Sequence, residues 1–415
     1  MGELFSGAGG LGVGFVTANH PSIRFSPIFA IDNDNLALQS YRKNLTWLTQ
    51  NAHKETASVK AYRGDVSKLH TDNMRRILGL RNQELDLLTG GPPCQGYSSS
   101  NRASKQKSKD DRNNLTAAFL TKVHELQPKM FLLENVQGVK WTEPTTDMRA
   151  NWTQLPLLND AEADSGLGSV EQFLVHRSQT LGYKVWYGII DAADFGVPQH
   201  RMRFFLFGVR SDLIPVNVKV SLDGFLAPHR IARHVTVGQA IGDLPEIKNG
   251  EAYAGEYQPS FDTYVQKMRE YMSNNVLYDH FTTKHQDYVI ERYKHILQGK
   301  NWESVKELMT TYTKIEKTHS NIYRRLCEDL PANTITHYRK SMVIHPTQDR
   351  GLSFREACRL QSFPDWFRFE GGSEAMQQQL ANAVPPLLAQ KVALAIAGFW
   401  NTLQTSNKLQ LPATA

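Results

Sequence analysis

Four short apolar runs mark the first half of the chain: Phe29-Ala30-Ile31, Leu85-Asp86-Leu87-Leu88, Met130-Phe131-Leu132-Leu133 and Phe204-Phe205-Leu206-Phe207. Runs of this length, with little polar alternation, suit strands buried on both faces of a parallel sheet. Helical patterns lie between them. Residues 116–126 put Phe119, Leu120 and Val123 on one face, and Ser169 is placed to cap a helix running through Phe173 and Leu174 to Leu181, with Gly182 as its stop. This alternation predicts an α/β fold: an open, doubly wound, mostly parallel sheet whose ligands bind at the carboxyl ends of the strands.

Beyond Arg210 the pattern changes. Residues 211 to about 330 are richer in Tyr, His, Lys and Asn, lose the strand and helix alternation, and read as a second, smaller domain. Apolar periodicity returns where Pro385-Pro386 opens a helix carrying Leu388, Val392, Ile396 and Phe399 at helical spacing. Residues 142–168 read as a surface insertion and those from Ser406 onward as a disordered tail. No internal repeat is evident.

Composition narrows the class. The 415 residues, 40% hydrophobic and 21% charged, describe an ordinary globular chain with room for two domains. No apolar stretch reaches the roughly 18 to 20 residues of a membrane span, and no basic segment followed by an apolar run opens the chain, so a cytoplasmic protein is expected. A net charge of +6, from 47 Lys plus Arg against 41 Asp plus Glu, mildly favours a polyanionic partner. Three cysteines, Cys94, Cys327 and Cys358, without paired metal-ligand spacing argue against a disulfide framework and a zinc ribbon. No metal site is expected.

The candidate chemistry sits at the ends of the apolar runs. Gly90-Gly91-Pro92-Pro93-Cys94-Gln95-Gly96-Tyr97-Ser98 carries a thiol on a rigid turn, where two prolines fix two φ angles and the glycines allow close approach. Taken alone, Cys94 is as readily a small core hydrophobe as a nucleophile. Phe5-Ser6-Gly7-Ala8-Gly9-Gly10-Leu11-Gly12 is a glycine-rich turn between a first strand, for which only Met1 to Leu4 are available, and a helix. Asp32 follows the second run and Asp65 ends a third strand. Three such features in order suggest an adenosine-containing cofactor, and the lack of a lysine-bearing phosphate loop favours a nucleoside over a triphosphate. Glu134 follows the 130–133 run on the same rim as Cys94. Arg201 and Arg203 share one side of an extended segment, an arrangement that needs anions or acidic groups opposite.

Five blocks occur in the order seen in the DNA (cytosine-5) methyltransferase family, which the chain therefore resembles: Phe5-Ser6-Gly7-Ala8-Gly9-Gly10, Pro92-Pro93-Cys94-Gln95, Glu134-Asn135-Val136, Gln199-x-Arg201-x-Arg203, and Gln379-Leu380-Ala381-Asn382-Ala383-Val384-Pro385-Pro386. The block from Arg325 through Pro331-Ala332-Asn333-Thr334-Ile335-Thr336 to Arg355-Glu356-Ala357-Cys358-Arg359-Leu360-Gln361 is similar to that family too. Together they frame nearly the whole chain, excepting the stretch from about 211 to 322.

The resemblance implies a Rossmann-like, S-adenosylmethionine-dependent methyltransferase of the bacterial restriction-modification type. It implies a catalytic and cofactor-binding domain over 1–210 and 372–415, and a target-recognition domain over 211–371. The implied reaction is methylation at carbon 5 of a cytosine flipped out of a short double-stranded DNA site. The implied enzyme is a monomer, functionally paired with a restriction endonuclease. Cys94 matches the nucleophile that adds to carbon 6, Glu134 the acid that holds ring nitrogen 3, and Arg203 with Arg201 the donors to the cytosine carbonyl and the neighbouring acid. Phe5, Gly7, Gly9, Asp32, Asn33, Asp65, Val66, Gly91, Leu115, Asn382 and Val384 match positions around S-adenosylmethionine. Asp32 stands where many members carry Glu, and Ala381 where Gly is usual.

The segment 96–114, with Ser98, Arg102, Lys105, Lys107, Lys109 and Arg112, reads as a mobile loop that closes over DNA phosphates. Cys327 and Cys358 read as packing residues. Two rivals stay open: a transfer-RNA cytosine-5 methyltransferase, and a catalytically silent DNA-binding regulator. Gly96-Tyr97-Ser98 is more like the DNA enzymes, and intact Cys94, Glu134 and Arg203 argue against a silent protein.

Overall fold

The computed structural model describes residues 1–54, 59–81, 83–93, 113–136, 170–215, 222–312 and 322–409. Cys94, the loop residues Ser98, Arg102, Lys105, Lys107, Lys109 and Arg112, the expected insertion at 142–168, Ser169 and the last six residues lie outside them.

Seven strands form the central sheet: β1 (Gly2–Leu4), β2 (Phe29–Asp32), β3 (Lys60–Arg63), β4 (Leu87–Gly90), β5 (Met130–Val136), β6 (Tyr183–Asp191) and β7 (Met202–Arg210). Their order is β3-β2-β1-β4-β5-β7-β6. β1 to β5 pair in parallel, while β7 runs antiparallel to both β5 and β6. The chain winds outward from β1 through β2 to β3, then returns to add β4 and β5 on the other side. The resulting switch point at β1 opens a crevice beyond the strand ends.

The longer helices are α1 (Gly10–Val16), α2 (Asn35–Leu48), α3 (Thr71–Leu78), α4 (Asn113–Leu126), α5 (Val170–Thr180), α6 (Asp287–His295), α7 (Phe354–Leu360), α8 (Ser373–Asn382) and α9 (Pro386–Leu409). The unalternating apolar runs follow from two covered faces. Leu88, Phe131, Leu133 and Leu206 cluster with Phe119, Leu120 and Val123 of α4. The intervening Leu87, Met130, Leu132 and Phe207 cluster with Leu11 and Phe15 of α1 and Leu388, Val392 and Ile396 of α9. Phe119 is fully buried, and truncating such a side chain to Ala costs about 3–5 kcal/mol. Gly182, with φ 84, ends the turn after α5 as expected of a helix stop.

Two features depart from the sequence expectation. β6 was not anticipated, and the 204–207 run lies in the one reversed strand. The helical stretch Ser373–Thr405 does reach spanning length, with mean hydropathy 1.4, but 67% of its most apolar window is buried within the protein. Part of that burial is against α1, where a Cβ on Gly14 would lie 2.4 Å from the Ala389 methyl. It is a core helix.

Residues 211–330 hold more order than their composition suggested. β8 (Ala252–Glu256) and β9 (Val276–Phe281) pair as a two-stranded antiparallel sheet. Arg359 of α7, fully buried, binds Asp365, Asp243, the Tyr257 hydroxyl and the Ala240 carbonyl, so one guanidinium ties residues 240–257 to the 354–369 segment. Val237, Leu277, Phe354 and Phe363 share an apolar cluster with Val13 of α1 and Tyr41 and Leu45 of α2.

Candidate active site

The first half of the site is the turn after β1. Gly7 (φ 51) and Gly9 (φ 99) adopt left-handed backbone, and a Cβ on Gly9 would lie 2.8 Å from the Tyr41 ring, so neither position accepts a side chain cheaply. The Gly7 N–H donates to Asp32 Oδ2 at 2.8 Å, and the Asp34 N–H donates to Asp32 Oδ1 at 2.9 Å. The shorter acid thus grips the turn itself, while each carboxylate oxygen keeps a lone pair for a ligand hydroxyl. Burial raises the Asp32 carboxyl, opposed by these backbone donors. Asn33 is exposed next to it, and Phe5, half-buried, has φ 52.

Asp65 follows β3 and caps the short turn Val66–Lys68, accepting from the Ser67 N–H and hydroxyl. The Ser67 hydroxyl, above all, holds its carboxyl below the usual range. Val66 is buried beneath it. Ser6 Oγ is buried, with no hydrogen-bond partner among the described residues. On the opposite wall, Asn382 is exposed at the end of α8, and the Val384 carbonyl would lie 2.1 Å from a Cβ on Gly10. That segment therefore rests directly on the glycine turn. Leu115, half-buried, is on the first turns of α4.

The second half lies at the end of β5. The parallel register sets Gly90 level with Leu133, so Glu134 projects past β4 to the level of Gly91. Its Oε2 would be 3.1 Å from a Cβ on Gly91, three residues before Cys94. Arg203 Nε holds Glu134 Oε1 at 2.9 Å, both side chains being about 10% exposed. Antiparallel pairing of β5 and β7 brings them together, with Glu134 opposite Phe205 and Val136 opposite Arg203. Burial raises the Glu134 carboxyl, against the opposing charges of Arg203 and Arg201. A carboxyl poised upward and held by one guanidinium can share or deliver a proton while keeping its orientation.

Arg201 faces elsewhere. It is fully buried, and its Nη atoms donate to the carbonyls of Ile335 (3.2 Å), Ala381 (2.8 Å) and Ala383 (3.1 Å). The ion pair with Glu134 belongs to Arg203. Sequence reasoning assigned no task to several polar groups around this site. Gln199 is fully buried; its Oε1 accepts from Ile335 N–H at 2.8 Å and its Nε2 donates to the Leu360 carbonyl at 3.2 Å. Asp191 accepts from the Arg201 N–H and holds the His200 ring. Glu3, in β1, is a buried carboxyl bound by the Tyr41 hydroxyl. The only sequence signal for Glu3 was an acid inside an otherwise apolar first strand.

Known proteins resemble the chain in sequence and in fold. The family model for C-5 cytosine-specific DNA methylases matches residues 1–154 and 167–398. The chain is 29% identical over 425 residues to the type II methyltransferase M.DdeI of Desulfomicrobium norvegicum, covering 98% of this chain and 90% of that protein. It is 30% identical over 394 residues to the type II methyltransferase M1.HphI of Haemophilus parahaemolyticus, covering 95% and 85%. Among solved structures, a prophage-encoded E. coli protein assigned as a DNA modification methyltransferase superposes with a TM-score of 0.69 at 24% identity, over 96% of this chain and 99% of that one. The S. pombe Dnmt2 methyltransferase does so with a TM-score of 0.53 at 16% identity, over 96% and 98%, a likeness of fold.

Proposed function

The chain belongs to the C-5 cytosine-specific DNA methylase family, and from that premise we propose that it methylates carbon 5 of a cytosine flipped out of a short, specific double-stranded DNA site, through a covalent bond to Cys94. The observation that carries the reading is the buried Glu134–Arg203 pair, set beside Gly91 on the turn that leads to Cys94.

The chemistry asks three things of the protein. Carbon 5 of cytosine is a weak nucleophile, so the Cys94 thiolate adds to carbon 6 and makes carbon 5 electron-rich. A free thiol is only a few per cent ionised at neutral pH, and its proton must leave as the bond forms. Glu134 holds ring nitrogen 3 and favours its protonation, drawing off the charge as Cys94 attacks. Arg203 fixes the Glu134 carboxyl and supplies a donor toward the cytosine carbonyl. Once carbon 5 has taken the methyl group, loss of its proton to water restores the ring double bond and expels Cys94 as the thiolate.

The methyl donor we assign is S-adenosylmethionine, which supplies an electrophilic methyl group. The residues fit a nucleoside. Asp32 and Asp65 offer carboxylates to ribose hydroxyls and an adenine amino group, Gly7 leaves open space at the turn, and the buried Ser6 hydroxyl has no partner among the described residues. Gly91, Leu115, Asn382 and Val384 would complete the walls. Among the described residues no group of three or more His, Cys, Asp or Glu could hold a metal ion.

Residues 211–371 are assigned to reading the site, and Ser98, Arg102, Lys105, Lys107 and Lys109 to the phosphates. We further assign it as a monomeric cytoplasmic enzyme that works beside a restriction endonuclease, a pairing in keeping with its type II methyltransferase relatives. The test is transfer of a labelled methyl group from S-adenosylmethionine to duplex DNA and, separately, to transfer RNA. Label recovered as 5-methylcytosine from DNA is expected. Transfer to RNA alone would overturn the DNA reading, and transfer to neither would leave a silent regulator.

A further inference from the structure

The last turn of α8 leaves carbonyls without the usual helical partner four residues on, and here side chains from outside the helix collect them. Arg201 Nη2 binds the carbonyls of Ala381 and Ala383 at 2.8 and 3.1 Å. Gln361 Nε2 binds those of Leu380 and Ala383 at 2.5 and 2.9 Å. A buried cation at the negative end of a helix is favourable. Arg201 also has a firm base: its own N–H is held by Asp191 at 2.9 Å, and Nη1 reaches Ile335 at 3.2 Å. Its Nε has no partner among the described residues.

The segment so gripped bears Asn382 and Val384, and the Val384 carbonyl rests on Gly10 of the glycine turn. Two residues beyond Arg201, Arg203 holds Glu134. One stretch of β7 and its approach therefore touches both halves of the site.

We propose that Arg201 is a positioning residue for the methyl-donor pocket, acting by clamping the 380–384 turn, and that it takes no part at the cytosine. The proposal rests on the functional reading above. Removing the clamp frees Asn382 and Val384 to move away from the glycine turn, so donor affinity falls before any chemistry begins.

The test is calorimetric titration of the full chain with S-adenosylmethionine in the absence of DNA. Arg201→Lys keeps a cation but cannot span three carbonyls, and it is expected to weaken donor binding about tenfold, which is about 1.4 kcal/mol. Amide exchange over 380–384 should quicken in parallel. Asn382→Ala should add little on top of Arg201→Lys, because both act through one turn. Arg203→Lys, which alters the Glu134 side, should leave donor affinity within twofold. Should Arg201→Lys fold poorly, Gln361→Leu removes the second grip on the same turn, at the carbonyls of Leu380 and Ala383, and is expected to weaken donor binding in the same direction. Unchanged donor affinity in a folded Arg201→Lys, or additive losses in the double variant, would overturn the clamp alone. A wild-type chain that binds no donor would sink the functional reading with it.

Discussion

Replacing Glu3 by Gln should remove a pH dependence of stability that the wild-type chain carries in its first strand. Glu3 is 1% exposed, and its Oε2 accepts from the Tyr41 hydroxyl at 3.1 Å. Burial pushes its carboxyl from the usual 4.5 up to about 8, with the bond from Tyr41 opposing and the nearby Asp32 charge adding to the rise. The folded chain therefore keeps a proton that the unfolded chain gives up at about 4.5. Between those values the native state binds more protons, so this group's stabilising contribution falls as pH rises, by about 1.4 kcal/mol per pH unit.

Taking the bend near 8 into account, Glu3 removes about 2 kcal/mol of stability between about pH 6 and pH 8. Gln keeps the shape and an oxygen for Tyr41, but titrates nowhere in that range. Urea unfolding followed by tryptophan fluorescence, with both proteins at both pH values, isolates the term, since every other titrating group is common to the pair. The variant should lose about 2 kcal/mol less than the wild type across the interval. Parallel losses would show that Glu3 is ionised in the folded protein and would refute the reasoning.

Three further outcomes are expected. Glu134→Gln should slow methyl transfer about 10²- to 10⁴-fold while duplex binding persists in a filter or anisotropy assay; normal turnover would give the acid another role. Replacing Lys105, Lys107 and Lys109 together with Ala should lower the slope of log affinity against log salt by about 2.7, at about 0.9 per lost phosphate contact, and leave site preference intact; a changed recognition sequence would mean the loop reads bases. Arg350 grips buried Glu356 through both oxygens at 2.9 and 2.7 Å. Against the upward push of burial, its partners hold that carboxyl at about 2. Since burial takes His345 down to about 4, that ring is neutral near pH 7 and Arg350 carries the hold. Arg350→Met should cost about 3–5 kcal/mol in neutral urea unfolding, and the wild-type stabilisation should fade as pH drops from the ordinary carboxylate range toward 2; a loss below about 1 kcal/mol would mean the pair is not needed.

Much of the architecture was legible because burial on both faces leaves a local signature. The runs at 29–31, 85–88, 130–133 and 204–207 all fall in or overlap strands of the central sheet, and 116–126 falls in α4. β6 escaped notice because it is an edge strand. Lys184 is only partly buried, Tyr187 and Ile189 are exposed, and Gly188 interrupts the pattern. The reversal of β7 was hidden for another reason, since an apolar run carries no sign of strand direction.

The site divides in the same way. Glu134 and Arg203 were visible as an acid and a base at strand ends, and they meet. Arg201 looked equivalent to Arg203, but its partners are backbone carbonyls 134 and 180 residues away, which no side-chain pattern announces. The pair of β8 and β9 was missed because its strands mix small, polar and apolar residues without strict alternation, and its anchors are distant in sequence: Leu277 packs in the cluster with Phe354, and Arg355 donates to the Tyr278 carbonyl at 2.9 Å.

The central claim is most directly tested by bisulfite sequencing of a host genome expressing the wild-type chain or Cys94→Ser. The wild-type chain should leave 5-methylcytosine at one short, recurring sequence, and Cys94→Ser none above background. Methylation that ignores sequence, or that persists in Cys94→Ser, would contradict it.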